Sequence, residues 1–404
     1  KRVRNLGKVT VPEILEARYG PAASTLATIT TVIAYLTIVS YQFKGGGKIL
    51  SIVTEGSIDP NTGVILTAVF AVSYTVLAGM LSVVYTDVVN GVLMTLGVLF
   101  SLGWLLNAVG GLDEVFAVAE AAGKTDLFGH WAAESDTGAS GPMVALVFFV
   151  PTALLLLGDA NVYQRICSAR DAGNARRAVG FWVVGVIVLE SAISLMGLTG
   201  SVAAAQGLMP DLGAMGPGAT EAVIPTLALS VLPQGLGMLM VATMLAIVVS
   251  TADSFLLVPA TNLTRDVYQR WINPGADGKQ VVLISRILVL VLGFVAFLLV
   301  NQFPTILAAA FTAYLIYGTS ITPALLAAFL WRRATGAGAV ASIVVGTATT
   351  LIWTFVLNTE GWHPVLAEVM FPAVGLSLTA LVVVSYMTPR APEHVLAKFF
   401  DFGD

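Results

Sequence analysis

The chain has one cysteine, three histidines and few charges, and each shortage closes off a class of function. Cys167 alone cannot make an intramolecular disulfide or a thiolate cluster. His130, His363 and His394 are dispersed between the apolar runs or in the tail, so solvated positions are expected for them rather than metal ligation. Charged residues are 11% of the 404 against 57% hydrophobic, and mean hydropathy is +0.87, far outside the range of soluble globular domains. No signal peptide with a small-residue cleavage site is expected from the basic opening segment. Nor is there a nucleophile elbow, an H-E-x-x-H helix or a cofactor fingerprint, so no enzyme is expected. No nucleic-acid partner is expected. The run Lys44-Gly45-Gly46-Gly47-Lys48 imitates a phosphate loop, but Ile49 stands where that loop needs a hydroxyl. The triple glycine is expected to turn or break the end of a helix instead.

What the chain does have is apolar length. Runs of about 20 residues, enough to span a bilayer, recur at 22–43, 63–84, 86–107, 142–163, 178–204, 235–262, 281–301, 305–330, 337–357 and 365–387. Ten membrane helices follow, in an all-α polytopic protein with a single transmembrane domain over 1–404. If the N-terminal Lys1, Arg2, Arg4 and Lys8 are cytoplasmic, ten crossings place seventeen of the twenty Lys and Arg on that side, with only Lys44, Lys48 and Lys124 outside. The acidic stretch 108–141, with Asp113, Glu114, Glu120, Asp126, Glu134 and Asp136, then faces outward. The positive-inside rule thus expects both termini in the cytoplasm of a plasma-membrane protein. Leu112, Val115, Phe116, Val118 and Ala119 suggest a short helix on the outer face, and Val223–Leu232 either a lid, a re-entrant helix or a surface helix. Most span glycines, among them Gly91, Gly97, Gly103, Gly180, Gly185, Gly197, Gly235, Gly237 and Gly346, are expected to serve close helix packing. Pro151, Pro259 and Pro323 lie inside spans and are expected to kink or break them.

Polar groups inside the spans carry the functional signal. Ile247, Ser250, Thr251 and Ser254 follow i, i+3, i+4, i+7 spacing, which puts one backbone carbonyl and three hydroxyls on one helical stripe. Such hard oxygens suit a small hard cation. Asp253 sits among them, and an intramembrane carboxylate is rare unless it meets an ion, a water path or a neighbouring helix. Asp87 reads equally as a helix cap at the cytoplasmic edge, just after a tight turn, or as a buried ion ligand. Asp159 either pairs with Arg165 or faces a central cavity, with Gly158 permitting local unwinding.

Four ordered segments resemble one family. Thr10-Val11-Pro12-Glu13-Ile14-Leu15-Glu16-Ala17-Arg18-Tyr19-Gly20 is similar to the T-x-P-E-x-L-x-x-R-Y-G segment of the sodium:solute symporters. Ala78 to Asn90 resembles their G-G-x-x-A-V-x-x-T-D-x-x-Q, departing at Ala78, Ser82 and Asn90. Gln164-Arg165-Ile166-Cys167-Ser168-Ala169 is similar to Q-R-x-x-A-A, and Ser250 to Ser254 followed by Asp266-Val267-Tyr268 to S-T-x-x-S with D-x-Y. The resemblance implies a leucine-transporter-type inverted-repeat fold working by alternating access. It implies a main sodium site at Ile247, Ser250 and Thr251, and a further sodium site at Asp87, Ser250 and Ser254 with Asp253 beside them. It makes Asp159, Asn161 and, more weakly, Gln42 the candidates for contacting substrate. The T-x-P-E segment opens this chain, whereas the family carries a leading helix and core helices 1 and 2 before it, so the resemblance implies a chain lacking them. The expectation is a sodium-coupled symporter importing a small polar organic solute through the lipid bilayer. The alternatives are the membrane input module of a sensor protein and an ion channel.

Overall fold

The computed structural model describes residues 2–123, 141–215 and 218–400, with side chains at all of these except 78–84, 214 and 215. Lys1, Lys124, Asp126, His130, Glu134 and Asp136 therefore lie outside the described residues, as do the side chains from Ala78 to Val84. Helices dominate: α1 (Val11–Tyr19), α2 (Pro21–Val53), α3 (Pro60–Ala108), α4 (Leu112–Ala121), α5 (Gly141–Gly158), α6 (Ala160–Ser168) and α7 (Ala172–Ala205) make the first half. The second half has α8 (Val223–Ser230), α9 (Gln234–Asn262), α10 (Gly278–Leu299), α11 (Ile306–Leu330), α12 (Gly336–Phe355), α13 (Met370–Met387) and α14 (Glu393–Phe400). Among the described residues ten helices are long and apolar enough to cross a membrane, in the order the apolar runs gave.

Two of those ten are the legs of α3. Tyr74 Oη donates to Thr86 Oγ1 at 2.7 Å, yet twelve residues of straight helix would hold them about 18 Å apart. The chain therefore doubles back between them, ahead of Asp87, which also brings Thr75 and Asp87 to neighbouring positions of α9. One leg packs on α2 through Val64 and Thr67, and the other climbs α9, with Asp87 at Ser250 and Gly97 against Thr243.

The triple glycine does not break a helix. Helix α2 runs unbroken to Val53, and its glycines serve contact: a Cβ on Gly46 would fall 2.4 Å from Thr67 Cγ2, and one on Gly47 2.6 Å from the Val64 nitrogen. Facing them, a Cβ on Gly63 would meet the Gly47 carbonyl at 2.7 Å. The helical penalty of glycine, about 1 kcal/mol, is outweighed by backbone approach that no side chain permits. The same packing role holds for Gly97, Gly237 and Gly346, but Gly91, Gly103, Gly180, Gly185, Gly197 and Gly235 face open space, which corrects the expectation for those six.

The most enclosed helices are α2 and α11, and they are unusually rich in hydroxyls. Thr319 lies 3.1 Å from Thr350, Ser320 accepts from Thr347 at 2.9 Å, Thr30 lies 3.0 Å from Thr347, and Ser377 donates to the Thr319 carbonyl at 2.6 Å. This ladder stitches α2, α11, α12 and α13 together, the role hydroxyls take where apolar surface alone gives helices no reason to associate. By contrast α7 and α10 turn Phe181, Ile187, Phe294 and Leu298 outward, as lipid-facing helices do.

Segment Thr10–Gly20 is a clamp on this core. Thr10 caps α1 by accepting from the Glu13 nitrogen at 3.2 Å. Buried Arg18 donates to the carbonyls of Arg332 and Ala334, and the Tyr19 hydroxyl to that of Ala324 at 3.1 Å. Gly20 then turns the chain at φ 95°, a value that favours glycine. On the opposite face, Glu221 joins the Lys48 ammonium at 3.0 Å to the Ile306 nitrogen at 2.8 Å, seating the short helix α8 as a packed cap with Leu227 fully buried.

Gly47→Ala is expected to destabilise the protein by about 1–3 kcal/mol through overpacking, whereas Gly180→Ala, in open space, is expected to be neutral or stabilising. Thermal unfolding of both variants in detergent checks this; equal melting temperatures would refute the packing account.

Candidate functional site

A cavity of about 600 Å³ opens where four elements meet. The second leg of α3 supplies Asp87 and Asn90, the α5–α6 junction Asp159, Asn161 and Arg165, α7 Trp182, and α9 Ile247, Ser250, Thr251, Ser254 and Phe255. The whole α9 stripe read from spacing thus faces one space.

Within that stripe the hydroxyls are not equivalent. Threonines in membrane helices commonly turn their hydroxyl back on the carbonyl four residues earlier; here Thr67, Thr75, Thr243, Thr264 and Thr312 all do so. Thr251 does not. Its hydroxyl makes no hydrogen bond among the described residues, so the second lone pair of the Ile247 carbonyl, four residues back, is also left open. Ser250 lies beside them and donates to Asp87 Oδ1 at 2.5 Å, which uses its proton and leaves its lone pairs without a donor among the described residues. A carbonyl and two hydroxyls with spare lone pairs on one turn fit a small hard cation, with no proton to remove first.

The opposite wall is a broken helix. Helix α5 stops at Gly158, Asp159 adopts φ −54° and ψ 116°, and α6 starts at Ala160. A break inside a span strands backbone groups that lipid cannot satisfy, and three tyrosines take them up, Tyr163 by donating to the Leu157 carbonyl at 3.2 Å. The Tyr35 hydroxyl donates to Asp159 Oδ1 at 2.8 Å and accepts from the Ala160 nitrogen at 2.9 Å. Tyr317 donates to the Gly158 carbonyl at 2.8 Å. Asp159 itself caps α6 by accepting from the Asn161 nitrogen at 2.7 Å. The unwinding expected at Gly158 is present, and the Asp159–Arg165 pair is not: Arg165 reaches across to Asp87 instead, at 2.7 Å, and to Ser254 at 3.1 Å.

The remaining candidates divide. Asn161 lines the cavity, and its Nδ2 is buried with no partner among the described residues, an unmet donor of the kind a ligand satisfies. Asp87 lies inside helical backbone rather than at a cap, bonded to Ser250 and Arg165. Asp253 is 1% exposed and does not line the cavity. It accepts from Thr75 on the first leg of α3, because position 253 sits about 60° round the helix from Ser250. Gln42 is half-buried on α2 and also lies outside the lining. Tyr35, two turns before Gln42 on the same face, is what α2 brings to the junction; sequence reasoning missed it, and a tyrosine inside a membrane span, whose hydroxyl needs a partner, was the available sign.

A model of the sodium:solute symporter family matches residues 1–346. The chain belongs to that family. Among its relatives, the osmoregulated proline transporter of Bacillus subtilis is 27% identical over 95% of this chain and 75% of its own length. A sodium/proline symporter of Haemophilus influenzae is 24% identical over 98% and 77%, and a sodium/glucose cotransporter of Vibrio parahaemolyticus 26% over 93% and 72%. The structure of a Na+-coupled sialic acid symporter in a substrate-bound outward-open state superposes with a TM-score of 0.79 at 19% identity, covering 96% of this chain and 79% of that one. The fold is thus of the leucine-transporter type, in a multi-pass membrane protein of a sodium-coupled transporter family. The named family and relatives are transporters, in keeping with the lack of catalytic motifs.

Tyr35→Phe is expected to leave the buried Asp159 carboxylate and the Ala160 nitrogen short of a partner, lowering stability by about 1–3 kcal/mol. Denaturation in detergent measures this; an unchanged melting temperature would show that the tyrosine does not hold the break.

Proposed function

We propose that the chain is a sodium-coupled secondary active symporter that imports a small polar organic solute by alternating access. The observation that carries this reading is the pair of open acceptors, the Thr251 hydroxyl and the Ile247 carbonyl, facing the same cavity as Asp159 and the unmet Asn161 amide. Sodium is cargo here, held by Ile247, Ser250 and Thr251. The solute is held across the cavity by Asp159 and Asn161, with Trp182 and Phe255 offering apolar faces. Names among the relatives, which include proline, glucose and myo-inositol carriers, support a small polar solute and no finer identity. Asp87, Ser250 and Ser254 form a candidate second ion site; Asp253 backs it from outside the cavity. No observation favours a sensor module or a channel.

Coupling follows from linkage. Sodium that favours the solute-binding conformation raises solute affinity, and the solute raises sodium affinity by the same factor. Because α9 carries the ion ligands and the α5–α6 break carries the solute contacts, closure of the cavity from either side brings the two together. The inward sodium gradient then drives uptake across the plasma membrane, with both termini of this chain cytoplasmic as basic-residue placement indicates.

In proteoliposomes, accumulation of whichever solute is carried is expected to fall to background when choline replaces sodium. Thr251→Ala or Ser250→Ala is expected to raise the sodium concentration for half-maximal uptake about tenfold, the loss of one ligand worth about 1.4 kcal/mol. Undiminished uptake in choline would overturn the reading. For orientation, the single Cys167 is a natural reporter: a membrane-impermeant maleimide is expected to label inside-out vesicles, and labelling confined to right-side-out vesicles would reverse the assignment.

A further inference from the structure

Three residues were assigned to the candidate second ion site, and the protein already engages the side-chain oxygens of all three. Asp87 Oδ2 accepts from Arg165 Nη2 at 2.7 Å, and Ser254 Oγ accepts from the same nitrogen at 3.1 Å. Ser250 Oγ donates its proton to Asp87 Oδ1 at 2.5 Å. The guanidinium thus occupies the place a cation would take, on the ligands a cation would use. The contrast with Thr251 one turn away is plain, since that hydroxyl has no protein partner among the described residues.

We infer that Arg165 is a tethered cation that competes with sodium for Asp87. The inference rests on the proposed symporter reading. Three features make the exchange feasible. The Arg165 side chain is 60% exposed along the cavity while Asp87 is 13% exposed, so the cation can leave and the carboxylate cannot follow it. The contact is made through a single guanidinium nitrogen rather than the two-pronged fork that gives arginine–carboxylate pairs their strength. Arg165 also rides on α6, nine residues long and joined to α5 through the break at Asp159, so a small tilt of that helix moves the guanidinium while Asp87 stays on α3.

The exchange keeps charge balanced. With the guanidinium in place, Asp87 is neutralised without an ion, and the site does not hold an unpaired intramembrane carboxylate at any stage. When sodium enters, the guanidinium must withdraw into the cavity, because one carboxylate in a low-dielectric setting does not fully compensate two cations. Arg165 thereby sets how tightly the second site binds sodium, and whether it fills at a given concentration. Ions at the main site have no such competitor, so the two sites are expected to fill at different sodium concentrations.

The test is direct binding of radioactive sodium to the purified full chain in detergent without solute, read by scintillation proximity. Arg165→Gln is expected to bind its weaker ion about tenfold more tightly than the parent protein, and Arg165→Lys, which keeps the charge, about threefold. Should Arg165→Gln not fold, Arg165→Lys decides alone. Sodium affinity and stoichiometry equal to the parent's in the folded variants would overturn the competition. Failure of the underlying reading is separately visible: in the Arg165-intact protein, saturable sodium binding that survives Thr251→Ala unchanged would remove the main site, whatever the Arg165 variants do.

Discussion

Hydrocarbon offers no hydrogen bonds, so each polar group inside this protein must find its partner within the protein or keep one position open for cargo. That constraint organises the molecule. In the core of α2, α11, α12 and α13 the hydroxyls answer one another, as at Thr319 and Thr350 or Ser342 and Ser377. At the α5–α6 break the stranded groups are met by Tyr35, Tyr163 and Tyr317. Of the residues with buried side-chain atoms left without a partner among the described residues, which include Ser24, Ser101, Gln164 and Asn262, only Asn161 lines the cavity, and the idle hydroxyl of Thr251 faces the same space.

Rigid and yielding parts follow from the same rule. The hydroxyl ladder and the Arg18 clamp tie α1, α2, α11 and α12 into one body. The α5–α6 junction is held by side-chain hydroxyls of Tyr35, Tyr163, Tyr317 and Thr322 and by the Asp159 cap in place of continuous helical hydrogen bonds, and it is the element that must move as the cavity closes. The ion pairs of Glu13 with Arg265 and Glu16 with Arg270 join α1 to the π-helical continuation of α9 over Leu263–Ile272, so displacement of α9 is felt by the clamp.

Much of this was legible in the sequence because membranes enforce simple periodicities. Ten apolar runs gave ten helices, and i, i+3, i+4, i+7 spacing put Ile247, Ser250, Thr251 and Ser254 on one face, where the structure has them. The reversal before Asp87 and the unwinding at Gly158 were also readable from local residues. What could not be read was where long side chains go. Of the two readings of Asp159, a pair with Arg165 six residues away or a place on the cavity, only the second holds, and Arg165 reaches Asp87, seventy-eight residues away. Asp253 was open to an ion, a water path or a neighbouring helix, and its turn on the helix delivers it to Thr75. Glycine misled in both directions: Gly45 to Gly47 looked like a breaker and is a packing surface, while Gly91 and Gly180 looked like packing and meet nothing. Each of these depends on which helix lies opposite, and single-chain periodicity carries no information on that.

The central claim is that the open lone pairs around Thr251 hold sodium. Thr251→Val tests it most directly, since valine keeps the shape and packing of threonine and removes only the oxygen. Equilibrium binding of radioactive sodium to the purified protein, without solute, is expected to lose at least one saturable site in this variant while its melting temperature in sodium-free buffer stays near that of the parent. Sodium binding of unchanged affinity and stoichiometry in Thr251→Val would contradict the account.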